Sequence, residues 1–257
     1  LVRYEKTGAV ARLVLNRPAA RNALNGELLD AIAEQMGIAD RDPEVRAIIL
    51  TGEGPVFCAG GDLRAIFTDA TPNAIRRFLN DRMRPALRSI MQADKPVIAA
   101  LNGQVAGAGV SLALACDFII AGSNAEFIPA FGKIGAMPDS AAIYLLVQYV
   151  GVATAREIVF RSRQLGAEEA LGRGIYSCVV APEALAAESM ALAESLAAEP
   201  TLAVALAKRA LRDAPRQPFD AFMDAESLAM AFLHTTDDLA EGFAAFKEKR
   251  APVFGGC

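Results

Sequence analysis

Residues 95–144 read KPVIAALNGQVAGAGVSLALACDFIIAGSNAEFIPAFGKIGAMPDSAAIY, and they decide the fold. An apolar strand, Val97–Leu101, runs into a loop built on Gly103, Gly107 and Gly109. A helix of small residues over 110–115 follows, then a second apolar strand over 118–121. Beyond it lies a loop that carries the acid Asp139. Small residues at a helix entrance let backbone N–H groups approach a ligand and aim at developing negative charge. An acid nearby would move a proton. The pair points to anion stabilisation with acid–base chemistry.

Working outward, the same alternation recurs. Val10–Leu15 is a strand by pattern. Residues 22–39 read as a helix, with Leu24, Leu28, Ile32 and Met36 spaced by four. Residues 46–51 form a buried strand that ends at a GEGP turn, and 56–61 make a turn of small residues. Residues 72–91 read as helical. Strands alternating with helices make the chain an α/β protein. After about residue 177 an Ala-rich helical run begins, with Pro182 near its start. It breaks near Glu199-Pro200 and at 215–218. Two last helices span 219–234 and 236–249, with Asp220, Asp224 and Glu226 early in the first. The boundary is set at 195: residues 1–195 form the core and 196–257 a helical C-terminal region.

Composition narrows the function. The chain has 257 residues, 53% hydrophobic and 22% charged, with a net charge of -4 and no long basic run. That speaks for a globular protein and against nucleic-acid binding. The apolar stretches are interrupted short of the ~20 residues of a membrane span, so no membrane partner is expected. The N-terminus reads as a strand, not as a signal peptide. Cys58, Cys116, Cys178 and Cys257 form no CxxC pair, and His234 is the single histidine. Reduced cysteines and a cytoplasmic location are expected, with no metal site.

Four local patterns are candidates for chemistry. Gly107 and Gly109 open a GxGxxG pattern, but Leu112 holds its third position. Ser111, Asp139 and His234 follow the chain order of a hydrolase triad. Residues 57–63 (FCAGGDL) offer a second backbone donor facing the glycine loop, or a tight turn with Asp62 as a helix cap. Asp139 is either a base or an ordinary helix start.

Several of these stretches, taken in order, resemble one family, the crotonase (enoyl-CoA hydratase/isomerase) superfamily. Residues 16–24 (NRPAARNAL) are similar to its N-terminal motif beside bound coenzyme A. Residues 57–63 and 95–109 are similar to its two oxyanion-loop motifs. The ending 246–254 (FKEKRAPVF) also looks like the family's. The resemblance implies a spiral of ββα turns, a helical C-terminal region that forms trimers or dimers of trimers, acyl-CoA thioester substrates and no cofactor. It assigns the oxyanion donors to the backbone N–H groups of Gly61 and Ala108. It places Ala20, Arg21, Ala23, Ala59, Gly60, Asp62 and Leu63 along the coenzyme A channel, with Gly107, Phe131 and Pro138 also at the substrate. Arg21 would face the phosphates.

The departures carry as much information. Hydratases of the family add water with two glutamates, whose places here hold Ser111 and Phe131. Neither is a carboxylate, and Phe131 disfavours an ordered water. Asp139 falls where single-acid members carry their base, among them Δ3,Δ2-enoyl-CoA isomerases and the ring-opening isomerase of phenylacetyl-CoA breakdown. Where that last group often has Gly-Gly after its Asp-Ser pair, this chain has Ala141-Ala142. Dehalogenase relatives pair such an Asp with a histidine, at a place that holds Arg88 here. The expected activity is therefore an acyl-CoA isomerase. A hydratase working by another route, a non-catalytic acyl-CoA-binding protein and a serine esterase using Ser111 are the alternatives.

Overall fold

Each apolar run that reads as a central strand is followed by a shorter strand that the sequence pattern hides. The computed structural model describes residues 1–67 and 71–256; Cys257 lies outside the described residues. β1 (Val2–Thr7) and β2 (Val10–Leu15) form a hairpin. Then β3 (Ala47–Gly52), β5 (Val97–Leu101) and β7 (Phe118–Gly122) each lead into a partner: β4 (Val56–Cys58), β6 (Gln104–Ala106) and β8 (Glu126–Ile128). β9 (Leu165–Gly166) and β10 (Cys178–Val180) complete the set.

The long strands build a six-stranded sheet in the order β1-β2-β3-β5-β7-β10, parallel beyond the first hairpin. The short ones build a four-stranded sheet, β4-β6-β8-β9. A helical segment closes each turn. After β4 come α2 (Leu63–Phe67), α3 (Pro72–Phe78), a π-helical turn (Leu79–Met83) and α4 (Arg84–Met91). After β6 comes α5 (Ala108–Leu114), and after β8 comes α6 (Ala142–Phe160). This repeat is the expected ββα spiral. The two turns predicted over 56–61 and 103–109 therefore each contain a strand.

The six-stranded sheet is covered on both faces, which explains its unbroken apolar runs. Val97, Ala99 and Leu101 face one cluster, packed with α1 (Gly26–Arg41) and α5. Ile98 and Ala100 face the other, against Leu185, Ala193 and Ala197 of α8 (Leu185–Ala197). The period of two in β5 thus divides its side chains between two cores. α7 (Ala167–Gly172) lies between β9 and β10.

The first helix begins at Gly26, four residues later than predicted. Asn25 caps it, accepting from Leu28 N at 2.9 Å. Asn22 is left in the loop by its long-range bonds. Its Nδ2 donates to the carbonyls of Glu53 (3.0 Å) and Val56 (2.8 Å), and its Oδ1 accepts from Arg17 N.

The helical C-terminal region is fastened to the spiral. Beyond α8, Lys208 on α9 (Thr201–Asp213) pairs with Asp117 at 2.6 Å and donates to Lys95 O. Arg46 donates to Glu199 O and Phe254 O. α10 (Phe219–Leu233) contains no buried residue, and α11 (Asp237–Glu248) is capped by Thr236. α6, at 19 residues and a mean hydropathy of 1.4, is the one helix among the described residues long and apolar enough for a membrane span. Its apolar run is still interrupted, by Gln148, Gly151, Arg156 and Glu157, as expected from the sequence. Gly151 (φ 68) breaks it, and Leu145, Leu146, Ala155 and Ile158 are buried in the protein.

Candidate active site

Two loops meet where the glycine motifs lie. A Cβ on Gly60 (φ 94) would come within 2.8 Å of Ala106 O and 3.3 Å of Gly107 Cα. Only a glycine permits that approach. One layer below, a Cβ on Gly109 would meet Cys58 Cβ, O and Sγ, each at 2.8 Å. Cys58 is fully buried and donates to Asn22 O at 3.2 Å. Burial pushes its thiol up to about 12, so it stays neutral and serves as packing.

This contact leaves two backbone donors free. Gly61 forms a parallel bridge with Leu24, closed by Leu24 N to Gly60 O (2.7 Å) and Asp62 N to Leu24 O (2.9 Å). Both bonds belong to Gly61's neighbours, so its own N–H points to the other side. Ala108 is the first residue of α5, where a helix leaves its N–H unpaired. Among the described residues neither N–H has an acceptor. Both residues line one cavity of about 360 Å³.

The same cavity takes in Asp139, the single ionisable side chain among its described lining residues. Ser140 Oγ donates to Asp139 Oδ1 at 2.8 Å, and Oδ2 has no partner among the described residues. One oxygen is thus held in place while the other is free to accept a proton. The turn that presents this carboxylate is strained. Ser140 (φ 53) and Ala141 (φ 62) are successive left-handed residues, and Ala141 precedes α6 without a capping bond. Asp139 is therefore not the cap of that helix.

A left-handed alanine costs ~1–2 kcal/mol. Ala141→Gly should relieve this at a smaller cost of ~0.4–1 kcal/mol in unfolded-chain entropy. The net expectation is a melting temperature higher by ~2 °C, read by calorimetry.

Among the expected site residues, Ala59, Gly60, Gly61, Leu63, Gly107, Ala108, Phe131 and Asp139 come together on this cavity. Asp62, Pro138, Ala20, Arg21 and Ala23 do not line it. Asp62 pairs with Arg17 at 3.1 Å and accepts from Ala65 N, as the cap reading predicts. Arg21 is exposed, left-handed (φ 52), and donates to Gln104. Ala23 O accepts from Arg17, while Ala59 N donates to Arg21 O, so the 17–24 loop clasps the 59–62 loop. Pro138 is buried beside Asp139.

Sequence pattern missed the far wall. Ile66, Ile75, Phe78, Leu79 and Met83 line it, from α2, α3 and the π turn. The sequence reads only as a helical stretch over 72–91; that its side chains and Ile66 meet Asp139 is a tertiary fact.

The hydrolase triad does not assemble. Ser111 is fully buried in α5 with its Oγ unpartnered, and His234 lies exposed at the end of α10, facing Phe243. An unpaired buried hydroxyl costs ~1–3 kcal/mol. Ser111→Ala should therefore raise stability by ~1 kcal/mol, with turnover unchanged. Urea unfolding and a kinetic assay check both halves.

Comparison with known proteins agrees with this geometry. A model described as enoyl-CoA hydratase/isomerase matches residues 5–256. The 1,2-epoxyphenylacetyl-CoA isomerase of Escherichia coli is 38% identical over 253 residues, covering 96% of this chain and 95% of that protein. The 2,3-dehydroadipyl-CoA hydratase of the same organism is 36% identical over 248 residues, with coverage of 96% and 95%. Among solved structures, an enoyl-CoA hydratase subunit of Geobacillus kaustophilus superposes with a TM-score of 0.93 at 36% identity, over 100% of this chain and 98% of that one. By fold, by motif order and by these matches, the chain belongs to the enoyl-CoA hydratase/isomerase family.

Proposed function

We propose that the protein is an acyl-CoA isomerase that moves a double bond by single-base proton transfer. One observation supports this reading above others. Asp139 is the single carboxylate among the described lining residues of a cavity that also holds the Gly61 and Ala108 N–H groups. The two places that would bear the water-adding glutamates hold Ser111 and Phe131, the first buried off the cavity and the second an apolar wall.

The acyl thioester lies with its carbonyl oxygen between the two N–H groups. Asp139 takes a proton from the carbon chain, alpha or gamma to the carbonyl. The C–H electrons pass into the conjugated system, and charge collects on the thioester oxygen. Two preorganised donors stabilise that enolate more than they stabilise the starting ketone-like carbonyl. Asp139 then returns the proton at the other carbon, and the double bond has shifted. Apolar walls keep water from competing. Proton transfer alone completes the reaction, and it needs no cofactor.

A paired assay on purified protein tests this. In one arm a 3-enoyl-CoA is followed for the ultraviolet absorbance of the conjugated 2-enoyl thioester. In the other a 2-enoyl-CoA is followed for loss of that absorbance on hydration. Turnover in the first arm alone is expected. Hydration in the second would mean that a group other than the missing glutamates activates water, and the single-base reading would fall.

For assembly we propose a trimer, or a dimer of trimers, built through the C-terminal helices. α10 leaves Phe219, Leu228 and Phe232 exposed at 74%, 72% and 51%. Light scattering reads the mass directly.

A further inference from the structure

The active-site cavity has a basic neighbour. A groove of about 570 Å³ lies behind the wall formed by Ile75, Leu79 and Met83, and Ser140 borders both spaces. Arg76, Arg84 and Arg88 line this groove, and none of its described lining residues is acidic. Several other arginines find carboxylates: Arg82, on the same helical segment, pairs with Asp30, and Arg163, Arg173 and Arg250 pair with glutamates. Arg76, Arg84 and Arg88 have no ion-pair partner among the described residues.

Their convergence follows from the backbone. In a regular α-helix, positions 76 and 84 would lie roughly 80° apart around the axis, eight residues at about 100° each. The π turn at Leu79–Met83 rotates less per residue and brings Arg76 toward the side of Arg84 and Arg88. Three like charges in one groove repel one another unless an anion joins them. A chain with a net charge of -4 has acids to spare, yet none is among the described residues that line this groove.

The location selects the anion. The groove borders Ser140 and Ala141, next to the candidate base, and touches neither the 17–24 loop nor the 59–61 loop. It therefore lies beyond the acyl end of the site, away from the expected coenzyme A phosphates. We propose that the groove receives a carboxylate at the far end of the acyl chain, reached past the wall of Leu79 and Met83. Guanidinium forks bind carboxylates with paired, charge-assisted hydrogen bonds. Among its described lining residues the first cavity offers such a carboxylate no cation. Met83, unbranched, is the wall residue best suited to swing aside.

This inference rests on the first cavity being an acyl-thioester site, but not on the isomerase chemistry. The test is accordingly one of binding. Purified protein is titrated calorimetrically with two saturated acyl-CoA thioesters of equal chain length, one ending in a carboxylate and one in a methyl group. The carboxylate-ended ligand should bind ~10-fold tighter at low salt, an advantage that shrinks as ionic strength rises. The double variant Arg84→Gln/Arg88→Gln should lose that advantage and keep the affinity for the methyl-ended ligand. Equal binding of the two, tighter binding of the methyl-ended one, or an advantage that survives in the variant overturns the proposal. If neither thioester binds, the acyl-site reading falls and this inference falls with it. A silent 3-enoyl-CoA assay beside a clear carboxylate preference removes only the isomerase chemistry.

Discussion

Asp139→Asn is expected to lower isomerase kcat/KM by ~10²–10⁴, the usual contribution of a positioned general base. That corresponds to ~3–5.5 kcal/mol of activation free energy. The substitution is nearly isosteric, and its amide oxygen still accepts from Ser140 Oγ, so the turn before α6 keeps its form. What disappears is the free oxygen that takes the proton. Because the cavity has no second described ionisable group, no neighbour can substitute for it. Affinity for a saturated acyl-CoA should stay within ~3-fold, because the carbonyl is held by backbone N–H groups and not by the base. A steady-state assay paired with calorimetric titration separates the two effects. Retention of full activity by the variant would exclude Asp139 as the base. Loss of binding together with activity would assign it a structural role instead.

Much of the site was legible because backbone requirements leave marks in sequence. Close approach at Gly60 and the positive φ of Gly107 demand glycine, and buried two-faced strands demand unbroken apolar runs, so both showed as pattern. β4, β6 and β8 did not, since three residues are too few to display a period and β6 is embedded among glycines. Asn22 resembled a helical residue until its bonds to Glu53 and Val56, more than 30 positions away in sequence, fixed it as a loop clamp. Left-handed Ser140 and Ala141 carry no local signal, because the conformation is imposed by the turn they close. Asp139 itself was visible only as one of two readings. The missing capping bond removes the cap reading, and the cavity shared with Gly61 and Ala108 is what supports the proposed base. The arginine groove was invisible for a related reason: its alignment needs a π turn, and nothing in the run LNDRM announces one.

The proposed oxyanion donors are backbone atoms, which side-chain substitution normally cannot remove, yet Ala108 allows it. Ala108→Pro deletes one N–H and little else. Proline is favoured at the first position of a helix, where its fixed φ of about −65° matches the helical turn. The residue before it is usually restrained by a clash with Cβ. Here that residue is Gly107, which has no Cβ and sits at φ 48, ψ -127. Its own N–H keeps the 2.9 Å bond to Ile128 O, so the loop stays anchored. Loss of one oxyanion donor costs ~3–4 kcal/mol, and kcat/KM should fall ~10²–10³. Stability should change by less than ~1 kcal/mol, since proline also narrows the unfolded ensemble. Ala108→Gly, which keeps the N–H, is the companion variant and should retain activity within ~3-fold. If proline and glycine behave alike, the Ala108 N–H does not meet the developing charge, and the thioester oxygen must lie elsewhere in the cavity. If proline alone abolishes turnover while melting temperature holds, the enolate is stabilised from α5, where the two glycine loops bring a free N–H opposite Gly61.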